Sequence, residues 1–144
     1  MSAFRLKYGP LKTEGIAEDT MGGWCSPSDV YIGKDDDYLS ISYFEWGENK
    51  SLLLDLASNP IEYALIAFKD DSFGDFLNLC MLLEDDALEF SYERKDNPDC
   101  YFEVKQGKFI YREKHKVVLE IELYENDRKG IANMFNKAKL LLGI

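Results

Sequence analysis

The sequence is poor in the residues that build common catalytic and metal centres. It has one histidine, His115, and three cysteines, Cys25, Cys80 and Cys100, with no CxxC spacing and no Cys/His pairing. A single histidine removes the commonest metal and Ser/His arrangements. The odd cysteine count indicates neither a disulfide framework nor a zinc site, so we expect a reducing compartment. We expect His115 on a solvated turn, Cys25 in a loop, and Cys80 and Cys100 as small hydrophobes.

The sequence also lacks a long apolar run. No stretch approaches the roughly 18 apolar residues of a membrane span. The first residues, MSAFRLKYGPLKTEG, contain neither an apolar signal region nor a small-residue cleavage site. We therefore expect a cytoplasmic protein without a membrane partner.

Basic residues are scarce where the acidic ones gather. Between Asp35 and Asp99 there are 17 acidic and four basic residues, a net charge of −13. Residues 100–144 instead hold nine basic and six acidic residues, a net charge of +3, and the whole chain carries −10. This uneven field disfavours nucleic acid and anionic membranes as partners and favours a basic protein.

Length and composition indicate one folded domain. The chain has 144 residues, of which 46% are hydrophobic and 14% aromatic, enough to bury a core without cross-links. Aromatic residues favour sheets, because flat rings pack well on pleated surfaces. We therefore expect a single domain over residues 1–144.

Hydrophobic periodicity predicts strands followed by helices in the first part of the chain. Four stretches have the composition or alternation of strands: Phe4–Tyr8, Val30–Ile32, Tyr38–Trp46 and Ser51–Leu56. Residues 61–68 then show helical spacing after an Asn-Pro start signal, and a strand over Tyr63–Phe68 is the alternative. Ser72 with Asp75 opens a second helical pattern that continues to Leu83.

The second part of the chain repeats this order. Strand alternation returns at residues 88–93, 100–104, 109–112 and 117–123, with a tight turn at Gln106-Gly107. Asn126 or Asp127 then caps a last helix, and Gly143 stands where it ends. The predicted class is α+β, with antiparallel β-meanders each followed by a helix, about β4-α-β4-α.

One string matches an enzyme pattern. Pro98-Asp99 followed by Glu103 and Lys105 fits the PD…(D/E)xK pattern of metal-dependent nucleases. Both acids fall on one short strand, about 13 Å apart at about 3.3 Å per residue, so one metal ion cannot join them. We therefore predict no catalytic residue, no metal site and no cofactor, and we keep a divalent-metal-dependent nuclease as an alternative.

Acidic clusters beside aromatic residues are the strongest candidates for a binding surface. Aromatic anchors inside an anionic rim are typical of proteins that bind basic partners. The predicted partner-binding residues are Asp35, Asp36, Asp37, Tyr43, Trp46, Asp70, Asp71, Asp75, Glu84, Asp85 and Asp86.

A basic and aromatic strip in the second part of the chain is the competing surface. Single-strand binders stack bases on such rings, although the net charge of the chain opposes nucleic acid. The strip consists of Lys105, Lys108, Arg112, Lys114 and Lys116 with Tyr101, Phe109 and Tyr111.

In general character the sequence resembles bacterial toxin-immunity proteins of the contact-dependent growth inhibition type, which are small, acidic, single-domain and free of catalytic motifs. The four-strands-then-helix order, from Val30 through Leu83 and from Leu88 through Leu142, also looks like the topology of Whirly-type proteins. The resemblance implies a tight binder that occludes a basic nuclease toxin. A nucleic-acid mimic or adaptor is an alternative, and the sequence leaves monomer and homodimer undecided.

Overall fold

The chain forms two antiparallel sheets, each followed by a helix. The computed structural model describes residues 3–9, 29–35, 38–44, 63–69, 73–85, 88–124 and 126–144. The first part holds β1 (Ala3–Tyr8), β2 (Val30–Asp35), β3 (Tyr38–Phe44), β4 (Tyr63–Phe68) and α1 (Phe73–Glu84). The second part holds β5 (Phe90–Glu93), β6 (Cys100–Lys105), β7 (Lys108–Glu113), β8 (Lys116–Glu122) and α2 (Asp127–Leu142). The predicted α+β class is confirmed.

The two sheets differ in strand order. The second sheet is a meander, β5-β6-β7-β8, whereas the first has the order β1-β3-β2-β4. In the first sheet β2 and β3 form a hairpin, and β1 pairs with the far side of β3, with Tyr8 opposite Leu39. Only the second sheet is therefore a simple meander.

The helix predicted over residues 61–68 is wrong, and the alternative strand is correct. Ile66 and Phe68 point to the buried face of β4, and their partners on β2 are Ile32 and Val30. A short apolar run satisfies helical and strand spacing together, so pairing with a neighbouring strand decides the outcome. The predicted strand Ser51–Leu56 lies outside the described residues.

Aromatic rings join the two sheets and the two helices in one core. Phe68 of the first sheet stacks on Phe102 of the second, with ring centroids 5.9 Å apart. Phe76 of α1 stacks on Phe135 of α2 at 5.5 Å. All four rings are fully buried, and each contributes roughly 1.5–3 kcal/mol through burial alone. Phe68 also contacts Phe76 at 5.6 Å, which fixes the helices relative to the sheets.

Left-handed backbone residues form the tight turns and the end of α2. Gly143 has φ 75° and donates its N–H to the carbonyl of Leu140, as the sequence predicts for a helix end. The Gln106-Gly107 turn between β6 and β7 is also confirmed. Lys114 and His115 form the turn between β7 and β8, and His115 is exposed as expected.

Candidate partner-binding surface

Two of the predicted surface residues lie in the interior. Tyr43 points to the core face of β3, where its ring contacts those of Phe4 and Phe73. Asp75 is only 3% exposed. The prediction that Tyr43 and Asp75 contact a partner is therefore wrong, because neither side chain reaches the surface. Alternation along β3 directs Tyr43 inward with Ile41 and Leu39.

Asp75 is occupied by internal hydrogen bonds. Its carboxylate accepts a 2.7 Å hydrogen bond from the Tyr92 hydroxyl and a 3.0 Å bond from the backbone N–H of Lys95. The backbone N–H of Asp96 donates a third bond of 3.4 Å. A buried carboxylate needs such partners to offset its lost hydration. Asp75 therefore ties α1 to the connection between β5 and β6.

Glu84 and Asp85 are exposed at the C-terminal end of α1. The last turn of this helix has no basic residue of its own. Arg128 of α2 supplies the charge, because its guanidinium donates to the carbonyls of Leu82 (3.0 Å), Leu83 (3.2 Å), Asp85 (2.7 Å) and Leu88 (2.9 Å). A cation at this end satisfies the last carbonyls and complements the helix dipole.

The turn at Asp35 lies at the same end of the molecule as Glu84 and Asp85. Asp35 pairs with Tyr38 at the start of β3, and the next residue of β3 pairs with Tyr8. The Tyr8 hydroxyl donates a 3.1 Å hydrogen bond to Asp127, the neighbour of Arg128. The start of α2 therefore joins the end of the β2–β3 hairpin to the end of α1.

Two large side chains are exposed around this junction. Leu88 is 37% exposed and Tyr124 44%. Tyr124 lies beside Asp127, which accepts its backbone N–H at 3.0 Å. Exposed Glu89 follows Leu88 and accepts the backbone N–H of Gln106 at 2.7 Å. We call this region the junction surface and define it by Glu84, Asp85, Leu88, Glu89 and Tyr124.

Two cations near this end of the molecule are already in contact with other groups. On the face of the first sheet opposite Tyr8, Lys7 lies over the Tyr38 ring, with its Nζ 5.9 Å from the ring centroid. The Arg128 guanidinium binds the carbonyls at the end of α1 and lies 5.6 Å from the Phe90 ring centroid. The donors of Arg128 are thus directed at backbone oxygens between Leu82 and Leu88.

Six of the predicted surface residues lie outside the described residues: Asp36, Asp37, Trp46, Asp70, Asp71 and Asp86. Phe73, at the start of α1, contacts Tyr43, which is at the opposite end of β3 from Tyr38. Residues 75 and 84 are separated by nine helical positions, about 14 Å.

The far end of the second sheet carries basic residues. Lys114, His115 and Lys116 are exposed at the β7–β8 turn, about 23 Å along β7 from the Gln106-Gly107 turn at 3.3–3.4 Å per residue. The backbone N–H of Leu123 donates a hydrogen bond to the carbonyl of Gly107, so the Gln106-Gly107 turn lies beside the junction surface. Asp99 and Glu113 are also exposed at the far end, so acidic and basic groups are mixed there.

Residues of the two alternative sites, the nuclease pattern and the base-stacking strip, make contacts within the protein. Glu103 lies 3.4 Å from Arg112 and 3.6 Å from Lys105 in ion pairs on the outer face of the second sheet. Phe109 and Tyr111 of the predicted base-stacking strip are buried in the core. Within the described ranges, no group of three or more His, Cys, Asp or Glu side chains is placed to hold a metal ion.

Burial suppresses the reactivity of the two described cysteines. Cys80 and Cys100 are both buried, as the sequence predicts. Desolvation raises the pKa of the Cys80 thiol to about 12 and also raises the pKa of Cys100. Because the thiolate is the nucleophile, both side chains act as small hydrophobes near neutral pH.

Sequence patterns missed several residues of the junction surface. Tyr124 stands just outside a regular element, where an apolar residue carries no periodic signal. Leu88 shares the alternation of Phe90 and Tyr92, which predicts burial, but its side chain is 37% exposed. The part played by Arg128 depends on contacts 40 to 46 positions away along the chain.

Comparison with known proteins gave no relative: no family model, curated protein or solved structure matches this chain. Among the residues described, no helix has both the length and the apolar character needed to cross a membrane.

Proposed function

We propose that this protein is a cytoplasmic immunity or inhibitor protein that binds and neutralises a basic toxin domain, a nuclease, through the junction surface. The observation that carries the proposal is the grouping of exposed Glu84, Asp85 and Glu89 with exposed Leu88 and Tyr124 around the start of α2. The order of strands and helices and the net charge of −10 agree with it.

Charge and apolar contacts have different tasks in this proposal. Carboxylates on the rim attract the Lys and Arg residues of the toxin and raise the association rate. Leu88 and Tyr124 exclude water in the complex and slow its dissociation. The negatively charged inhibitor thereby occupies the surface that the toxin uses for nucleic acid, which is itself polyanionic.

Rigidity of the surface supports tight binding. Arg128 holds four carbonyl oxygens between Leu82 and Leu88, and Asp127 holds Tyr8 and Tyr124. Side chains on a preformed scaffold lose less conformational entropy on binding. The junction surface is therefore organised before the partner arrives.

A growth assay tests the proposed function. The chain is co-expressed in bacteria with the basic toxin domain encoded by a neighbouring gene, and growth is compared with that of cells expressing the toxin domain alone. The variant Glu84→Lys/Asp85→Lys reverses two junction charges. The control, Asp99→Lys/Glu113→Lys, makes the same charge change on exposed residues at the far end of the second sheet.

We expect the unaltered chain and the control to restore growth, and the junction variant to lose most protection. Equal protection by the two double variants would remove the junction surface from the proposal. Failure of the unaltered, folded chain to protect against that toxin domain would contradict the inhibitor function itself.

A further inference from the structure

Each helix is held at its start by a tyrosine from the other half of the chain. We define the first half as β1–β4 with α1 and the second half as β5–β8 with α2. Asp75 in the first turn of α1 accepts a 2.7 Å hydrogen bond from Tyr92 of β5. Asp127, the first residue of α2, accepts a 3.1 Å hydrogen bond from Tyr8 of β1.

The two contacts are built alike. Asp75 and Asp127 are both buried, and both tyrosines are half-buried on the core face of the first strand of their half. Each aspartate also accepts a backbone N–H at 3.0 Å. A carboxylate in the first turn of a helix is favoured by the helix dipole. We call these two Tyr–Asp contacts the reciprocal latches.

Further contacts cross between the halves beside each latch. Arg128 of the second half holds the other end of α1, so both ends of that helix are fixed by the second half. Gly130 of α2 lies against the ring of Tyr8 from the first half. Each half therefore supplies part of the docking site for the helix of the other.

We infer that the reciprocal latches dock the helix of each half on the other half, so that both sheets fold and unfold as one cooperative unit. Neither half contains the tyrosine that binds its own helix, and loss of one half removes that contact from the other. The Tyr8–Asp127 latch also lies beside the junction surface, because Asp127 accepts the backbone N–H of Tyr124.

Urea unfolding of the full chain, followed by hydrogen exchange and mass spectrometry, tests this inference. Peptides from β2–β3 report on the first half, and peptides from β6–β7 report on the second. Tyr8→Phe and Tyr92→Phe remove one latch hydroxyl each and keep the ring. Tyr101→Phe is the matched control, because Tyr101 is half-buried on the outer face of the second sheet, away from both latches.

We expect both sets of peptides to lose protection at one common urea concentration in every variant. Each latch variant raises the unfolding equilibrium constant about tenfold in both halves, the loss expected for a hydrogen bond to a charged group. Tyr101→Phe changes the constant less than about twofold. Separate midpoints for the two halves, a shift confined to one half, or latch variants that match the control would overturn the inference.

Discussion

Tyr8 lies so close to Gly130 that a Cβ atom at position 130 would come within 2.1 Å of its Cε2 and 2.2 Å of its Cζ. Only a glycine admits the ring at this distance. The contact brings β1 against the start of α2 and lets the Tyr8 hydroxyl reach Asp127. A glycine inside a helix is unfavourable by propensity, and here close packing accounts for it.

Gly130→Ala should destabilise the protein by about 1–3 kcal/mol, as overpacking does, although alanine is the better helix former. Thermal unfolding measures the effect. Gly74→Ala in α1 is the matched control, since no described atom lies within 4 Å of the added Cβ. The control should gain roughly 0.5–1 kcal/mol. Similar gains in both variants would show that the ring of Tyr8 moves away freely.

Arg128→Met should lower the free energy of unfolding by about 2–4 kcal/mol, because four carbonyl oxygens lose a charged donor. The free energy of unfolding of Arg128→Lys should lie between those of the unaltered chain and Arg128→Met, since one ammonium cannot reproduce the guanidinium fork. Urea unfolding gives the values, and Lys129→Met changes an exposed neighbour as the control. A loss no greater than that of the control would rule out Arg128 as the cap of α1.

Stability should decline at alkaline pH. Burial raises the pKa of Cys80 to about 12, whereas an unfolded thiol titrates near 8.5. Above about pH 8.5 the unfolded chain therefore binds fewer protons than the folded chain. The stability that Cys80 contributes is fully present below about pH 8.5 and is lost as the pH rises towards 12.

Urea unfolding between pH 8 and 11, in reductant, measures this dependence. Cys80→Ala should be less stable at pH 8, because it leaves a cavity, but its free energy of unfolding should fall less steeply with pH. Parallel slopes for the two proteins would mean that Cys80 does not contribute to the alkaline loss.

Lys114→Asn/His115→Gly should stabilise the β7–β8 hairpin. Lys114 and His115 have φ of 51° and 71°, a conformation that Asn-Gly adopts with little strain. We expect a gain of about 1 kcal/mol, seen as a higher midpoint of thermal unfolding. Gln106→Asn at the neighbouring turn, which already has Gly107, should gain less. A lower midpoint for the double variant would contradict the assigned turn.

Periodicity was sufficient where each element buries one side. Val104, Phe109, Leu119 and Ile121 follow the alternation of the second sheet, and Ile131, Phe135 and Ala138 mark the buried face of α2. These elements, and the overall class, could be predicted because burial and spacing agree along a long enough stretch.

Prediction failed where contacts distant in sequence decide the outcome. Residues 63–68 form a strand because β2 offers a partner, and propensity alone does not register this. An acidic residue such as Asp75 is expected at the surface, but hydrogen bonds from Tyr92 and from the backbone after β5 stabilise its carboxylate in the interior. Clusters of charge in a sequence therefore predict exposure less well than apolar stripes predict burial.

Binding kinetics at several salt concentrations test the junction surface most directly. The purified toxin domain is immobilised, and association and dissociation rates are measured for the unaltered chain, Glu84→Lys/Asp85→Lys and Asp99→Lys/Glu113→Lys. We predict an association rate that falls with salt and an affinity at least about tenfold weaker for the junction variant than for the control. Equal affinities for the two variants at low salt, or an association rate indifferent to salt, would contradict the proposal.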